Sequence, residues 1–286
     1  MIIPMLKEAW ISLSSHKLRS FLTILGIIIG VCAVVIMVAA GQTVQNEIDK
    51  ELGDLGGNMM IVTPGSSNKS GVRLPRGRPT LTEGDAEAIK LLKNVVLVAP
   101  AVSSAQQVVR GSKNWNTGIL GSNLDYIPLG SWEIEEGMNF TERDMETGAR
   151  YVLIGKTIKE KLFEEGEYVI GEDIRIKNIP FKVIGVLEER GSSIGGSDQD
   201  DIIIAPLKTV RTRLIGNRIP DMVRVILLTV DEAKHMSLVE RRIETLLRDR
   251  HRIRNGQEND FSITNITEMV NKITKIGLIL SILLAT

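Results

Sequence analysis

The sequence is short of the residues that most often carry chemistry. It has a single cysteine, Cys32, and three histidines, His16, His235 and His251. One cysteine excludes an intrachain disulfide. Because Cys32 lies in an apolar run, it says nothing about the redox compartment. The histidines show neither a metal-ligand spacing nor a Cys/His cluster. A phosphate loop is also missing. Ile154-Gly155-Lys156-Thr157 looks like the end of one, but Arg150 stands where the motif needs its first glycine. The chain is therefore not expected to hydrolyse ATP by itself. No G-x-S-x-G elbow occurs. Acidic pairs such as Glu135-Glu136 and Glu164-Glu165 read as solvated surface. Asp198, Asp200 and Asp201 lack the ligand alternation of a calcium loop and read as a solvated turn before a strand. No basic stripe interleaves with aromatics, so no nucleic-acid partner is expected. No residue is assigned to catalysis, to a cofactor or to a metal, and the chain is read as a non-enzyme.

Charge is absent from residues 21–40, FLTILGIIIGVCAVVIMVAA, in which Thr23 is the one notably polar side chain. Twenty residues at 1.5 Å each span roughly 30 Å, the thickness of a hydrocarbon core. Lys7, Lys17 and Arg19 precede the run against Glu8. Lys17 and Arg19 set the topology by the positive-inside rule: the N-terminus is cytoplasmic and the rest of the chain leaves the membrane at Gly41. A cleaved signal sequence competes, since Val38 and Ala40 precede Gly41, although the apolar part of a signal is usually shorter. Gly26 and Gly30 form a G-x-x-x-G pair, the spacing that lets helices approach closely in lipid. The chain closes on IGLILSILLAT, residues 276–286. That is too short to span as a helix, and it reads as the start of a second transmembrane helix that is cut off, or else as a short re-entrant or interfacial end.

Next to each apolar end lies an amphipathic stripe. Val44, Ile48 and Leu52 recur at helical spacing in residues 41–55, and Ile266, Met269 and Ile273 do so in residues 265–275. Asn265 and Glu268 have capping-box spacing. Paired antiparallel, the two stripes would form a stalk of about 20 Å. Inside the stalk, residues 56–111 and 222–264 each read strand–helix–strand, with strands expected at 59–63 and 95–98 in the first and at 223–230 and 261–263 in the second, which suggests a split βαβ subdomain. Ser237 and Glu240 are expected to box the second helix. Residues 112–221 read as an inserted, β-rich α+β subdomain. Its strands are expected at 151–154, 173–177, 181–187 and 201–205, and its helix at 157–163. The arginine-rich run 235–254, with Ile243, Leu246 and Leu247, reads as a solvent-washed helix laid on a sheet. The expected class is thus a membrane-anchored α+β protein. It comprises a cytoplasmic N-terminal helix (1–20), a transmembrane helix, two stalk helices and a split extracytoplasmic domain.

The stretch 9–31 closely resembles the opening of MacB-type permeases of ABC transporters. The matching positions are Leu13, Lys17, Leu18, Arg19, Ser20, Leu22, Thr23, Leu25, Gly26, Ile27, Ile29, Gly30 and Val31. Similar stretches follow in order: Leu55-Gly56-Gly57-Asn58, Val62-Thr63-Pro64-Gly65, residues 81–85, 95–100, FKVIGVL at 181–187 and DQDDIIIAP at 198–206. The resemblance covers essentially the whole chain. It implies a permease acting as a homodimer, with an extracytoplasmic adaptor protein often docked on it. MacB carries an ATP-binding domain ahead of the permease. A chain that begins at the permease implies a separate ABC ATP-binding subunit, which would bind the ATP. The implied function is export of a drug, peptide or lipoprotein, with ATP-driven motion passed through the stalk. FtsX-like activation of an extracytoplasmic hydrolase and a membrane-anchored ligand sensor are the other readings.

Overall fold

The computed structural model describes residues 17–54, 58–65, 80–193, 196–216, 221–266 and 268–269. It comprises two units. One contains residues up to Asp49, and the other is the body from Lys50 to Val270. Helix α1, Lys17–Asp54, is 38 residues long and unbroken.

The body starts with a four-stranded antiparallel sheet in the order β10-β1-β9-β2. Its strands are β1 (Met59–Pro64), β2 (Val95–Arg110), β9 (Val225–Val230) and β10 (Phe261–Asn265). Their residues are largely β-branched or otherwise apolar, the composition that suits a pleated, half-buried surface. Helix α2 (Glu83–Lys90) joins β1 to β2, and α7 (Met236–Arg250) joins β9 to β10. This is a βαβ–βαβ arrangement with strand order 4-1-3-2, interrupted between its second and third strands. Thr82 opens α2 with a full capping box closed by Asp85. Helix α7 buries Met236, Val239, Ile243 and Leu247, one helical stripe. Its arginines lie on the other side, with Arg241 and Arg250 exposed. The expected Ser237/Glu240 box does not form. A 3-10 turn over Ala233–His235 starts the helix earlier, and no side chain caps it.

Strand β2 is far longer than the expected 95–98, and it serves two sheets. Val95–Ala101 pairs with β9, whereas Val102–Arg110 pairs with β3 (Lys113–Ser122). Residues 102–110, which the sequence division grouped with the βαβ half, are thus hydrogen-bonded into the insert. The other insert strands are β4 (Ile134–Gly137), β5 (Tyr151–Ile154), β6 (Asp173–Ile176), β7 (Ile179–Leu187) and β8 (Ile202–Pro206). Pairing runs β2-β3-β8-β5-β7, and β6 bridges β7 back to β2. Six strands therefore close on themselves, with β4 attached outside β7. Closure removes the edges that an open sheet would leave unpaired. Val108, Ile119, Ile154, Ile174, Phe181 and Ile203 are fully buried or nearly so and lie in the same core as Met60, Val62, Ile226 and Leu228. Three short helices complete the insert: α3 (Tyr126–Leu129), α4 (Glu142–Thr147) and α5 (Lys156–Leu162). A last short helix, α6 (Leu207–Thr209), runs into a π-helical turn over Val210–Ile215. Helix α3 lays Leu129 on Met59 and Ala99, covering part of the second face of the four-stranded sheet.

Close packing against the backbone is most demanding at Gly155, the residue before α5. A methyl group there would collide with the carbonyl of Asp200. Gly155→Ala is expected to cost about 1–3 kcal/mol, the usual penalty for overpacking a closed site. Gly118→Ala, on an exposed strand face with nothing within 4 Å, is expected to be near neutral. Urea denaturation of the two variants measures the contrast.

Candidate functional site

The first candidate site is α1. Lys17 and Arg19 stand at its start and are exposed. Thr23 Oγ1 donates to the Arg19 carbonyl at 2.8 Å, so the polar group in the run is satisfied within its own helix. Lys17–Met37 is long and apolar enough to cross a bilayer, and none of it is buried. Phe21, Ile27, Ile29 and Ile36 are each more than half exposed. Such an all-round apolar surface is costly in water and neutral in lipid. A Cβ built on Gly26 or Gly30 would meet nothing within 4 Å. The strip these glycines form is therefore open to another helix.

The stalk positions are only partly within view. Val44, Ile48 and Leu52 belong to α1, but the side chains of residues 41–54 lie outside the described residues, as does Ile273. Ile266 is half-buried and Met269 is exposed. Asn265 Oδ1 accepts the Glu268 N–H at 3.0 Å, the bond that its capping spacing predicts.

The second candidate site is an ionic clasp in the body that sequence reasoning missed. Asp85 is nearly fully buried, with its side chain 3% exposed. It accepts from Thr82 N–H (2.9 Å), Thr82 Oγ1 (2.7 Å) and Arg250 Nε (2.6 Å), and faces His251 Nε2 at 3.2 Å. His251 Nδ1 lies 2.8 Å from Asp260 Oδ1. Burial by itself would raise the Asp85 carboxyl. Hydrogen bonds from His251, Arg250 and Thr82 outweigh that and hold it well below the usual carboxylate range. Nearby, the buried Arg211 forks between Glu83 Oε2 (2.7 Å) and Asp221 Oδ1 (3.2 Å). Together these contacts tie the start of α2 to the end of α7 and to the turn after α6.

Asp200 corrects the expectation of a solvated turn, whereas Asp198 is exposed as expected and Asp201 is half-buried. Asp200 is 3% exposed and accepts the N–H groups of Arg190 (2.9 Å) and Gly191 (2.7 Å). Asp198 accepts from Thr157 Oγ1, and Asp201 from Trp115 Nε1. The run is a structural anchor, because each carboxylate satisfies donors of a neighbouring segment. Among the described residues, no group of three or more His, Cys, Asp or Glu side chains is placed to hold a metal ion.

The family model described as the MacB-like periplasmic core domain matches residues 20–246. The macrolide export ATP-binding/permease protein MacB of Wolinella succinogenes is 33% identical over 281 residues, 98% of this chain and 42% of that protein. The pyoverdine export ATP-binding/permease protein PvdT of Pseudomonas aeruginosa is 34% identical over 286 residues, 100% of this chain and 41% of its own length. The chain thus spans less than half of either relative. The crystal structure of the periplasmic region of MacB from Actinobacillus actinomycetemcomitans matches with a TM-score of 0.65 at 23% identity, over 80% of this chain and 97% of that one. The extracellular domain of the noncanonic ABC-type transporter YknZ from Gram-positive bacteria matches at 0.59 and 20% identity, over 73% and 100%. These two likenesses concern the fold.

Thr82–Asp85 and Thr141–Asp144 are the same capping box at different depths. Asp85→Ala removes the shared acceptor of a buried cluster and is expected to cost about 3 kcal/mol. Asp144→Ala, at the surface, is expected to cost about 1 kcal/mol or less. Equal losses in denaturant midpoint would remove the distinction.

Proposed function

The chain belongs to the family of the MacB-like periplasmic core domain, and from that membership we propose that it is the permease part of an ABC exporter. The observation that carries the reading is α1: an exposed apolar segment, Lys17–Met37, that continues without a break to Asp54. At 1.5 Å per residue its 38 residues measure about 57 Å, well beyond one hydrocarbon core. A single rod of that length can receive a displacement on one side of the bilayer and deliver it on the other.

In this reading Lys17 and Arg19 hold the helix start in the cytoplasm, and the body lies outside. Gly26 and Gly30 seat α1 against a helix of the homodimer mate or of the same permease. Val44, Ile48 and Leu52 pack with Ile266, Met269 and Ile273 to make the stalk. The ATP-binding subunit supplies the force by hydrolysing ATP, and an adaptor protein receives the cargo at the extracytoplasmic body. The cargo is a drug, peptide or lipoprotein. The relatives named for macrolide and pyoverdine export support the export class.

Two experiments test this. Gly30→Leu should abolish export and cut the partner's substrate-stimulated ATPase at least ~10-fold, by blocking close helix approach. The thermal unfolding of the body should be unchanged. Wild-type export in that variant would overturn the role of the glycines. Ser103→Cys in a Cys32→Ser background should react in intact cells with a membrane-impermeant maleimide. Labelling that requires lysis would place the body in the cytoplasm and end the reading.

A further inference from the structure

His251 has both ring nitrogens committed to carboxylates, Nδ1 to Asp260 at 2.8 Å and Nε2 to Asp85 at 3.2 Å. A neutral imidazole carries one N–H and one lone pair, so only the imidazolium can donate to both. The charged groups facing the ring come from three elements: Asp85 on α2, Arg250 on α7 and Asp260 in the turn before β10. With His251 protonated the four groups balance. With it neutral, the half-buried cluster carries one uncompensated negative charge, and a lone pair points at a carboxylate.

The two carboxylates depend on His251 to different degrees. Asp85 also holds Arg250 and both donors of Thr82. The Asp260 carboxylate has His251 as its partner, while its backbone carbonyl accepts Gly65 N–H at 2.7 Å and Thr80 Oγ1 at 2.9 Å. Phe261, the first residue of β10, stands edge-on to the imidazole at 5.9 Å. The place of Asp260 therefore decides how β10 begins. β10 is an outer strand of its sheet, paired with β1, and it leads directly to Asn265 and Ile266. Phe261 anchors the strand in the core, but the four residues after it are only half-buried and the strand is paired on one side, so it opens more readily than the inner strands.

We propose that His251 is a proton-operated latch on β10: protonated, it ties Asp260 and the start of the strand to α2 and α7, and on losing the proton it lets them part. The latch does not rest on the exporter reading. Where the body faces the cell exterior, the operating proton would be an external one.

The energetics run in the required direction. The hydrogen bond to Asp85 raises the His251 pKa, burial opposes it, and Asp260 adds to the rise. A group whose folded pKa lies above its unfolded value stabilises fully below the unfolded value. That contribution is lost as pH rises through the folded value. The latch is therefore closed at and below the ordinary histidine range and opens on the alkaline side of it.

Hydrogen exchange of the full chain in detergent micelles, corrected for intrinsic rates, is the test. Between about pH 6 and about pH 9, peptides covering residues 260–265 and 58–65 should lose protection at least ~10-fold, while the buried strand β5 stays unchanged. His251→Gln should exchange at the faster rate in both segments at both pH values. Selective labelling of the three histidines gives an independent readout that needs no variant to fold. One resonance should titrate above the ordinary histidine value, and that resonance should be absent from His251→Gln. Equal protection at both pH values in the wild-type chain would overturn the proposal. So would a pH-dependent loss that persists in His251→Gln, or the lack of any histidine titrating above the ordinary value.

Discussion

Strand β2 is hydrogen-bonded into both sheets, and its register is the constraint on which the rest of the body depends. Val98, Val102 and Val108 are all buried and lie in one core, although the first belongs to the four-stranded sheet and the last to the closed ring. They are separated by even intervals, so they share a face of the strand. A slip of one residue would turn Val108 outward and Ser103, Ala105 and Gln107 inward, and would drive Val98 onto the opposite face, where Ala99 is buried under α3. Such a slip would misplace both sheets at once. This makes the insert more than a passenger, because the strand that opens it is the strand that completes the sheet it interrupts.

Around that strand, polar groups close the remaining gaps. The cluster of Asp85, Arg250, His251 and Asp260, and the fork of Arg211 on Glu83 and Asp221, join segments that are distant in sequence. Buried charges of this kind add little net stability when compared with well-packed apolar replacements. Losing one partner is costly, because the others are then left buried and unpaired. They make the arrangement of α2, α7 and β10 specific. Asp200 does the same for the turn at 190–191, with two backbone donors in place of a cation.

Much of this organisation was legible in the sequence where a short-range signal exists. The β-branched runs that became β5, β7 and β8, the Asn265–Glu268 capping spacing and the uncharged run of α1 all announce themselves within a few residues. β2 beyond Val98 did not, because its outward positions are small or weakly polar, Ser103, Ala105 and Gln107, and so the alternation is faint. The Ser237/Glu240 spacing misled, since a box needs the helix to begin at that serine and a preceding 3-10 turn begins it earlier. The clasp was beyond reach for a different reason. His251 and Asp85 stand 166 positions apart, and nothing local to either residue marks the other. The same holds for the closing of the ring, where β6 touches β2 over only Val108 and Val109.

The two units obey opposite rules for polar groups. In α1 the polar side chain within the apolar run bonds to its own helix, and the strip at Gly26 and Gly30 offers packing without charge. In the body, specificity comes from paired charges, whose strength follows protonation. The core of the body resists displacement through close packing. The outer strand β10 is held by Phe261 in that core and, beside it, through an ionisable group. The element most easily displaced is thus also the one that leads toward the second apolar segment of the chain.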